Sequence, residues 1–469
     1  MGNFIVFGIG GVISQIVPFL MIPVITRIMP STEYYGISDL SNTVVNLGSA
    51  LAVMGMYDAM YRMFFENDDE EYKKDICSTT LIFTIGTSLV VFIIMMLLRH
   101  WIANIAFGNE KYSNLVNITA ITTLIGATNS IAAAPTRMQN KRKVFILMNT
   151  LSPVLAYSIS IPLLLKGYYL VAMPVSMLLS ALCCESIFII LNKKWFTLRR
   201  FKIKYLKPLL TIAIPLLPNF LIYWVFNSSD KLMITNLIGA GATGVYSVGA
   251  KLGHASQLIY TAFAGGWQYF AFSTMRDEHQ VESNSQVFEY LGVISFFCTT
   301  IMFILSKPIY SLLFTGDYVA GFIIAPYLFL APLLQMLFQV AANQFLVIKK
   351  TWPNLLILSL GAIVNVVLNL ILIPILGIEG AAIATLVGYI ISDLVCIIVL
   401  IKMKLHIITG KFMAAVFIMG IFIIAWRFAF KDCMMVSTFA AFFCCILYVL
   451  LYRHDLRMLL AGIKKKEVL

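Results

Sequence analysis

Charge is what this sequence has least of. Asp, Glu, Lys and Arg supply 12% of its 469 residues, about half the usual share of a soluble domain. The remainder is 60% hydrophobic, with a mean hydropathy of +0.89. So few polar side chains cannot cover a water-exposed surface, which excludes an ordinary soluble protein. Cysteine is present but unorganised. The eight cysteines lie mostly inside apolar runs and show no C-x-x-C spacing, so they form neither a disulfide framework nor a thiolate metal site. The five histidines make no ligand pattern, and neither a metal nor a cofactor is expected. No Gly-rich phosphate loop or paired-carboxylate motif occurs, and no connection exceeds roughly 20 residues. These absences point away from an enzyme. The opening MGNFIVFGIGG also lacks a basic n-region and a cleavage site, and is expected to be a first helix rather than a signal peptide.

What the sequence does have is apolar runs of membrane-spanning length. About fourteen occur between Phe4–Ile25 and Thr438–Leu451, most of them near the ~20 residues a helix needs to cross a bilayer, with the spans starting at Phe412 and Thr438 the shortest. Backbone polar groups have no water partner there, so serial runs imply helices. The expected class is an all-α polytopic membrane protein with about 14 transmembrane helices. A net charge of +12 would suggest nucleic acid in a soluble chain. Here about three quarters of the lysines and arginines fall in alternate connections, the bias that keeps loops cytoplasmic. Both termini are therefore expected on the cytoplasmic side of the inner membrane, with no nucleic-acid partner.

The chain also repeats itself. TRIMPSTEYYG, ending at Gly36, parallels TNLIGAGATG, ending at Gly244. Lys141-Arg142 parallels Lys349-Lys350, IPLLLKGYYLVA parallels IPILGIEGAAIA, and Glu185 parallels Asp393. All four matches share an offset of about 210 residues. An even six spans per half gives both halves the same orientation, with a substrate site expected between them. The expected organisation is an N-lobe over 1–191, a basic cytoplasmic linker over 192–208, a C-lobe over 209–402, and a C-terminal helix pair with basic tail over 403–469.

Three stretches carry a family resemblance: PFLMIPVITRIMPSTEYYGISDL (Pro18–Leu40), SSDKLMITNLIGAGATGVYSVGAKL (Ser228–Leu252) and RMQNKRK (Arg137–Lys143). Together they resemble the Wzx-type oligosaccharide flippases of polysaccharide biosynthesis, within the multidrug/oligosaccharidyl-lipid/polysaccharide exporter superfamily. The resemblance implies two six-helix lobes in a V around a central cavity. It also implies movement of an undecaprenyl-diphosphate-linked oligosaccharide, from O-antigen or capsule synthesis, across the cytoplasmic membrane. The implied partners are that lipid-linked substrate, membrane lipids, and the polymerase and chain-length machinery of such a pathway.

Within that frame several residues stand out. Lys251 lies inside the eighth span, where a charge costs roughly 2.5–3.5 kcal/mol and usually faces a cavity or a partner. It is either a contact for an anionic substrate or a snorkelling, structurally paired lysine. Asp39, Asn42 and Asn46 share one side of the second span, and their repeat counterparts fall near Lys251 and His254. They suit sugar hydroxyls, or equally hydrogen bonds between helices. Asp58 and Arg62 are spaced for an i,i+4 ion pair at the cytoplasmic mouth, structural or gating. Arg27, Asp230 and Lys231 sit at the periplasmic ends of the first and seventh spans, as exit gate or interfacial anchors. Glu185 and Asp393 are matched carboxylates, candidates for ion coupling or for packing. ENDDEEYKKD (Glu66–Asp75) reads as a solvated loop.

Two other functions compete. A cation-coupled multidrug antiporter of the same superfamily would carry uncompensated carboxylates early in the first lobe, yet the first span has no acidic residue. A membrane glycosyltransferase or polymerase would need a longer loop than any connection offers.

Overall fold

The computed structural model describes residues 16–275, 277–350, 352–455 and 457, and among these there is helix but no strand. The first helices are α1 (Ile16–Ile28), α2 (Thr32–Val53), α3 (Met56–Phe64), α4 (Glu70–Leu97), α5 (Arg99–Phe107) and α6 (Ser113–Met138). Next come α7 (Arg142–Leu165), α8 (Ala172–Asn192), α9 (Ile203–Ala213), α10 (Leu217–Trp224), α11 (Asp230–Leu237), α12 (Ala240–Gly253) and α13 (Gln257–Ser273). The last are α14 (Gln280–Leu313), α15 (Ala325–Val347), α16 (Trp352–Leu376), α17 (Ile378–Lys402), α18 (Gly410–Ala425) and α19 (Met434–Leu451). Among the described residues eleven stretches are long and apolar enough to cross a bilayer, α9 to α11 counting as one, Ile203–Leu237. They coincide with the third to seventh and ninth to fourteenth expected spans. The start of the first span and the basic end of the tail lie outside the described residues.

The second and eighth spans differ from expectation, because neither is one helix. Met54 and Gly55 take left-handed conformations (φ 51° and 77°) and part α2 from α3. A side chain at Gly55 would meet the carbonyl of Ala213 at 2.5 Å, so glycine is needed for this approach of α3 to α9. The eighth span breaks at His254–Ser256, between α12 and α13.

The helices form two compact units. The first comprises the described residues up to Val248 together with Val366–Ala381. Its centre is α6, against which α2, α4 and α8 pack. The buried face of α6 is rich in small and hydroxyl residues, including Thr119, Ala120, Thr123, Ala127 and Ala134. Lipid is as apolar as leucine, so such close-packing residues rather than hydrophobicity hold membrane helices together. At one end Met56, Met60, Ile76, Trp195 and Leu209 knit α3, α4, the turn at Lys193–Trp195 and α9 into an apolar cluster.

The second unit comprises Gly249–Asn365 and the residues from Ala382 onward. Here α15 is almost wholly enclosed, and α14, 34 residues long, carries α18 and α19 on its flank. That attachment is polar at its end. Buried Glu289 accepts hydrogen bonds from Thr409 Oγ1 and Tyr452 Oη, both 2.7 Å, while Lys411 pairs with Asp455 at 3.1 Å. The N–H of Ile407 donates to Ser285 Oγ at 3.0 Å, and the His406 ring packs edge-on against Phe288.

Traces of the repeat appear in the caps. The chain leaves α6 through left-handed Asn140 (φ 55°) and leaves α15 through left-handed Lys349 (φ 59°). Each cap closes with the same six-to-one bond, Lys141 N–H to Thr136 O (3.0 Å) and Lys350 N–H to Phe345 O (2.8 Å).

The repeat also makes a contact. Gly36 of α2 and Gly244 of α12, equivalent positions, face each other backbone to backbone. A Cβ at Gly244 would lie 1.9 Å from Thr32 O, and one at Gly36 would lie 2.2 Å from Ala240 O. Gly244→Ala should therefore force the helices apart and cost about 1–3 kcal/mol. Gly420→Ala, in the interior of α18 where a Cβ meets nothing within 4 Å, should not lower stability and should raise it slightly, by about 0.5–1 kcal/mol. Thermal unfolding in detergent compares the two, and equal melting temperatures would remove the close contact.

Candidate functional site

The glycine contact sets the stage for a buried polar cluster in the first unit. Ser31 Oγ caps the start of α2 by accepting from the Glu33 N–H (3.2 Å), and Pro30 separates α2 from α1. Less than one turn beyond Gly36, Asp39 turns its carboxylate toward α11 and α12 and is only 8% exposed. It meets Lys231 Nζ at 2.6 Å and accepts from Ser247 Oγ at 2.8 Å. Lys231 is placed by a widened turn, Val225–Ser229, which shifts the register between α10 and α11. Next to it the buried Asp230 carboxylate accepts from the hydroxyl of Tyr246 and from the Lys231 N–H at 2.8 Å. Thr235 and Thr243 join α11 to α12 by a 2.7 Å hydroxyl contact. Tyr157 of α7 lies close enough to interact electrostatically with Asp39.

Asp39, Asp230 and Lys231, expected in two separate groups, thus belong to one cluster. Asp39 is buried against Lys231, whereas Asn42 is half-buried and Asn46 exposed on α2. Tyr246 and Ser247 were missed. The repeat could have found Ser247, since it lies 208 residues after Asp39 and therefore at its equivalent position. The same symmetry that brings Gly36 to Gly244 brings Asp39 to Ser247.

The other candidates are dispersed. Lys251 and His254 belong to the second unit, Lys251 with its side chain exposed and His254 half-buried. Arg27 is exposed on α1. The expected pair of Asp58 and Arg62 is replaced: Arg62 contacts Glu66 at 3.5 Å, one turn further on. Asp58 instead feels Arg137, whose guanidinium donates to Tyr57 Oη at 3.3 Å. Proximity of α3 to the end of α6 decides that exchange. Glu185 is half-buried on α8, within hydrogen-bond reach of Thr128 on α6. Asp393 on α17 is buried, and neither carboxylate oxygen has a hydrogen-bond partner among the described residues. The residue equivalent to Thr128 in the second half is Met336, which offers no donor.

A family described as polysaccharide biosynthesis protein matches residues 24–320 by its sequence profile. The chain belongs to this family. Among solved structures, the lipid II flippase MurJ in an inward closed conformation superposes with a TM-score of 0.71 at 17% identity, over 96% of this chain and 100% of that one. An inward-facing multidrug resistance MATE family transporter of the MOP superfamily gives 0.63 at 14%, over 84% and 98%. An outward-facing one gives 0.60 at 14%, over 86% and 94%. A search of curated proteins finds no significant match. The fold of this polysaccharide biosynthesis protein is thus that of the MurJ and MATE transporters.

Breaking one side of a buried ion pair strands the other charge, at about 3–5 kcal/mol, whereas removing both is far milder. Asp39→Asn and Lys231→Met should each lower thermal stability strongly, and the double variant should recover most of the loss. Additive losses in the double-mutant cycle would mean that the two side chains do not interact.

Proposed function

We propose that the protein is a flippase that carries an undecaprenyl-diphosphate-linked oligosaccharide across the cytoplasmic membrane by alternating access. The observation that carries this reading is the joint between α2 and α12. Two repeat-related helices touch through glycines and the Ser247–Asp39 hydrogen bond, backed by the ion pair of Asp39 with Lys231 on α11, a contact that can part without unfolding any of the helices. With both termini cytoplasmic, this joint lies at the periplasmic end and serves as the exit gate, with Arg27, Asp230 and Lys231 around it. The diphosphate of the substrate competes with Asp39 for Lys231 as the gate opens.

The remaining candidates take roles along the path. Lys251 anchors the diphosphate on entry, and Asn42, Asn46 and His254 offer hydrogen bonds to sugar hydroxyls. Asp58 and Arg62, through Arg137 and Glu66, brace the cytoplasmic mouth. Of the two matched carboxylates, Asp393 is the coupling site and Glu185 a packing contact, because Asp393 is buried without a hydrogen-bond donor among the described residues whereas Glu185 is only half-buried. A drug antiporter fits less well. The carboxylate nearest the joint, Asp39, is neutralised by Lys231 rather than offered to a cationic drug.

Surface glycan display in cells carrying the protein as sole flippase tests this function. Lys251→Glu at matched protein levels should cut display at least tenfold, with lipid-linked glycan accumulating inside. Wild-type display by that variant would sink the anchoring role, and normal display without any flippase gene would sink the function itself.

The same assay run across a range of pH separates the carboxylates. Asp393→Asn should reduce display and flatten its pH dependence, while Glu185→Gln should behave as wild type. Normal transport by both at every pH would leave neither as a coupling site.

A further inference from the structure

The strongest feature outside the gate is the outer face of α9. Leu209 and Ala213 of this helix are buried beneath α3, and the adjoining face bears Leu206, Lys207, Leu210 and Ile214, with Leu210 half-buried against the same apolar cluster. Along that face the side chains leave a shallow hollow that ends at Pro215. The result is an open groove of about 470 Å³ whose lining is almost entirely apolar, from Ile203 to Pro215, with Lys207 set into it. The stretch from Ile203 to Ile214 is about 16 Å long at 1.5 Å per residue, the length of a good part of an acyl chain.

The mouth of the groove is basic and uncompensated. No Asp or Glu occurs between Asn192 and Ser229. Arg200 is spent on Glu71 and Asp75, 2.5 and 3.6 Å away. Lys202 and Lys207, by contrast, make no ion pair among the described residues, and both are exposed. Phe201 and Ile203 flank Lys202 and are also exposed, Ile203 at 76%. Cations beside exposed apolar side chains at the start of a span are the chemistry that recognises an anionic headgroup with its tail.

We propose that this groove is a docking site for one anionic phospholipid of the surrounding bilayer. Lys202 and Lys207 hold its phosphate, and one acyl chain lies along Leu206, Leu210 and Ile214. The site is separate from the gate, so it stands whether or not the transport reading does.

Native mass spectrometry of the full-length protein in detergent tests it, with phosphatidylglycerol, phosphatidylcholine or undecaprenyl phosphate added stepwise. Phosphatidylglycerol adducts should appear at concentrations at least fivefold lower than phosphatidylcholine adducts. Lys202→Gln with Lys207→Gln should abolish that preference. Lys349→Gln with Lys350→Gln, which removes the same charge elsewhere, should leave it intact. Equal losses in the two double variants would overturn the site, as would equal binding of the two phospholipids. So would binding of undecaprenyl phosphate alone, or full displacement of phosphatidylglycerol by inorganic phosphate, since the acyl chain would then contribute nothing.

Discussion

Two glycines meeting across an interface decide how close α2 can come to α12, and the polar cluster depends on that distance. Gly36 and Gly244 bring peptide backbones into direct contact. Only then can Asp39 reach Ser247 and Lys231 within hydrogen-bonding range. The order of causes runs from sequence to chemistry. Missing side chains permit close approach, close approach excludes solvent, and exclusion of solvent makes the ion pair strong enough to matter. The same features make it a poor permanent glue, since two buried charges recover little more than they lost on leaving water.

The symmetry of the contact follows from how the chain was built. Where two parallel repeats meet on a two-fold axis, equivalent residues must face each other. Glycine opposite glycine satisfies this with identical partners. Aspartate opposite aspartate would repel, and the second half carries Ser247 at that position while α11 supplies the balancing Lys231. At this position the halves differ where identity would place two carboxylates together. Glu185 and Asp393 show the converse, a shared charge in unlike surroundings.

Helical class, span order and family were legible because membrane burial writes long apolar runs and because the repeat preserves its punctuation. Left-handed caps at Asn140 and Lys349 stand where the matched basic turns suggested. The break at Met54–Gly55 was not legible, since nothing local to α2 reports the distant carbonyl of Ala213 that makes the glycine necessary. The cluster was half legible: Asp39, Asp230 and Lys231 were each singled out, but pairing depends on a crossing that hydropathy does not encode. Asp58 and Arg62 failed for a related reason. Correct i,i+4 spacing allows a pair, and competition from Glu66 and Arg137 decides whether it forms.

The hydroxyl grip on Glu289 bears on how the protein is made. The long helix α14 is synthesised more than a hundred residues before Thr409 and Tyr452, the two groups that satisfy its carboxylate. During translation that carboxylate must wait near the membrane surface without its partners. The last hairpin, α18 and α19, is therefore an assembly step as much as an architectural one: until it inserts, the second unit holds an acidic group that its finished structure encloses.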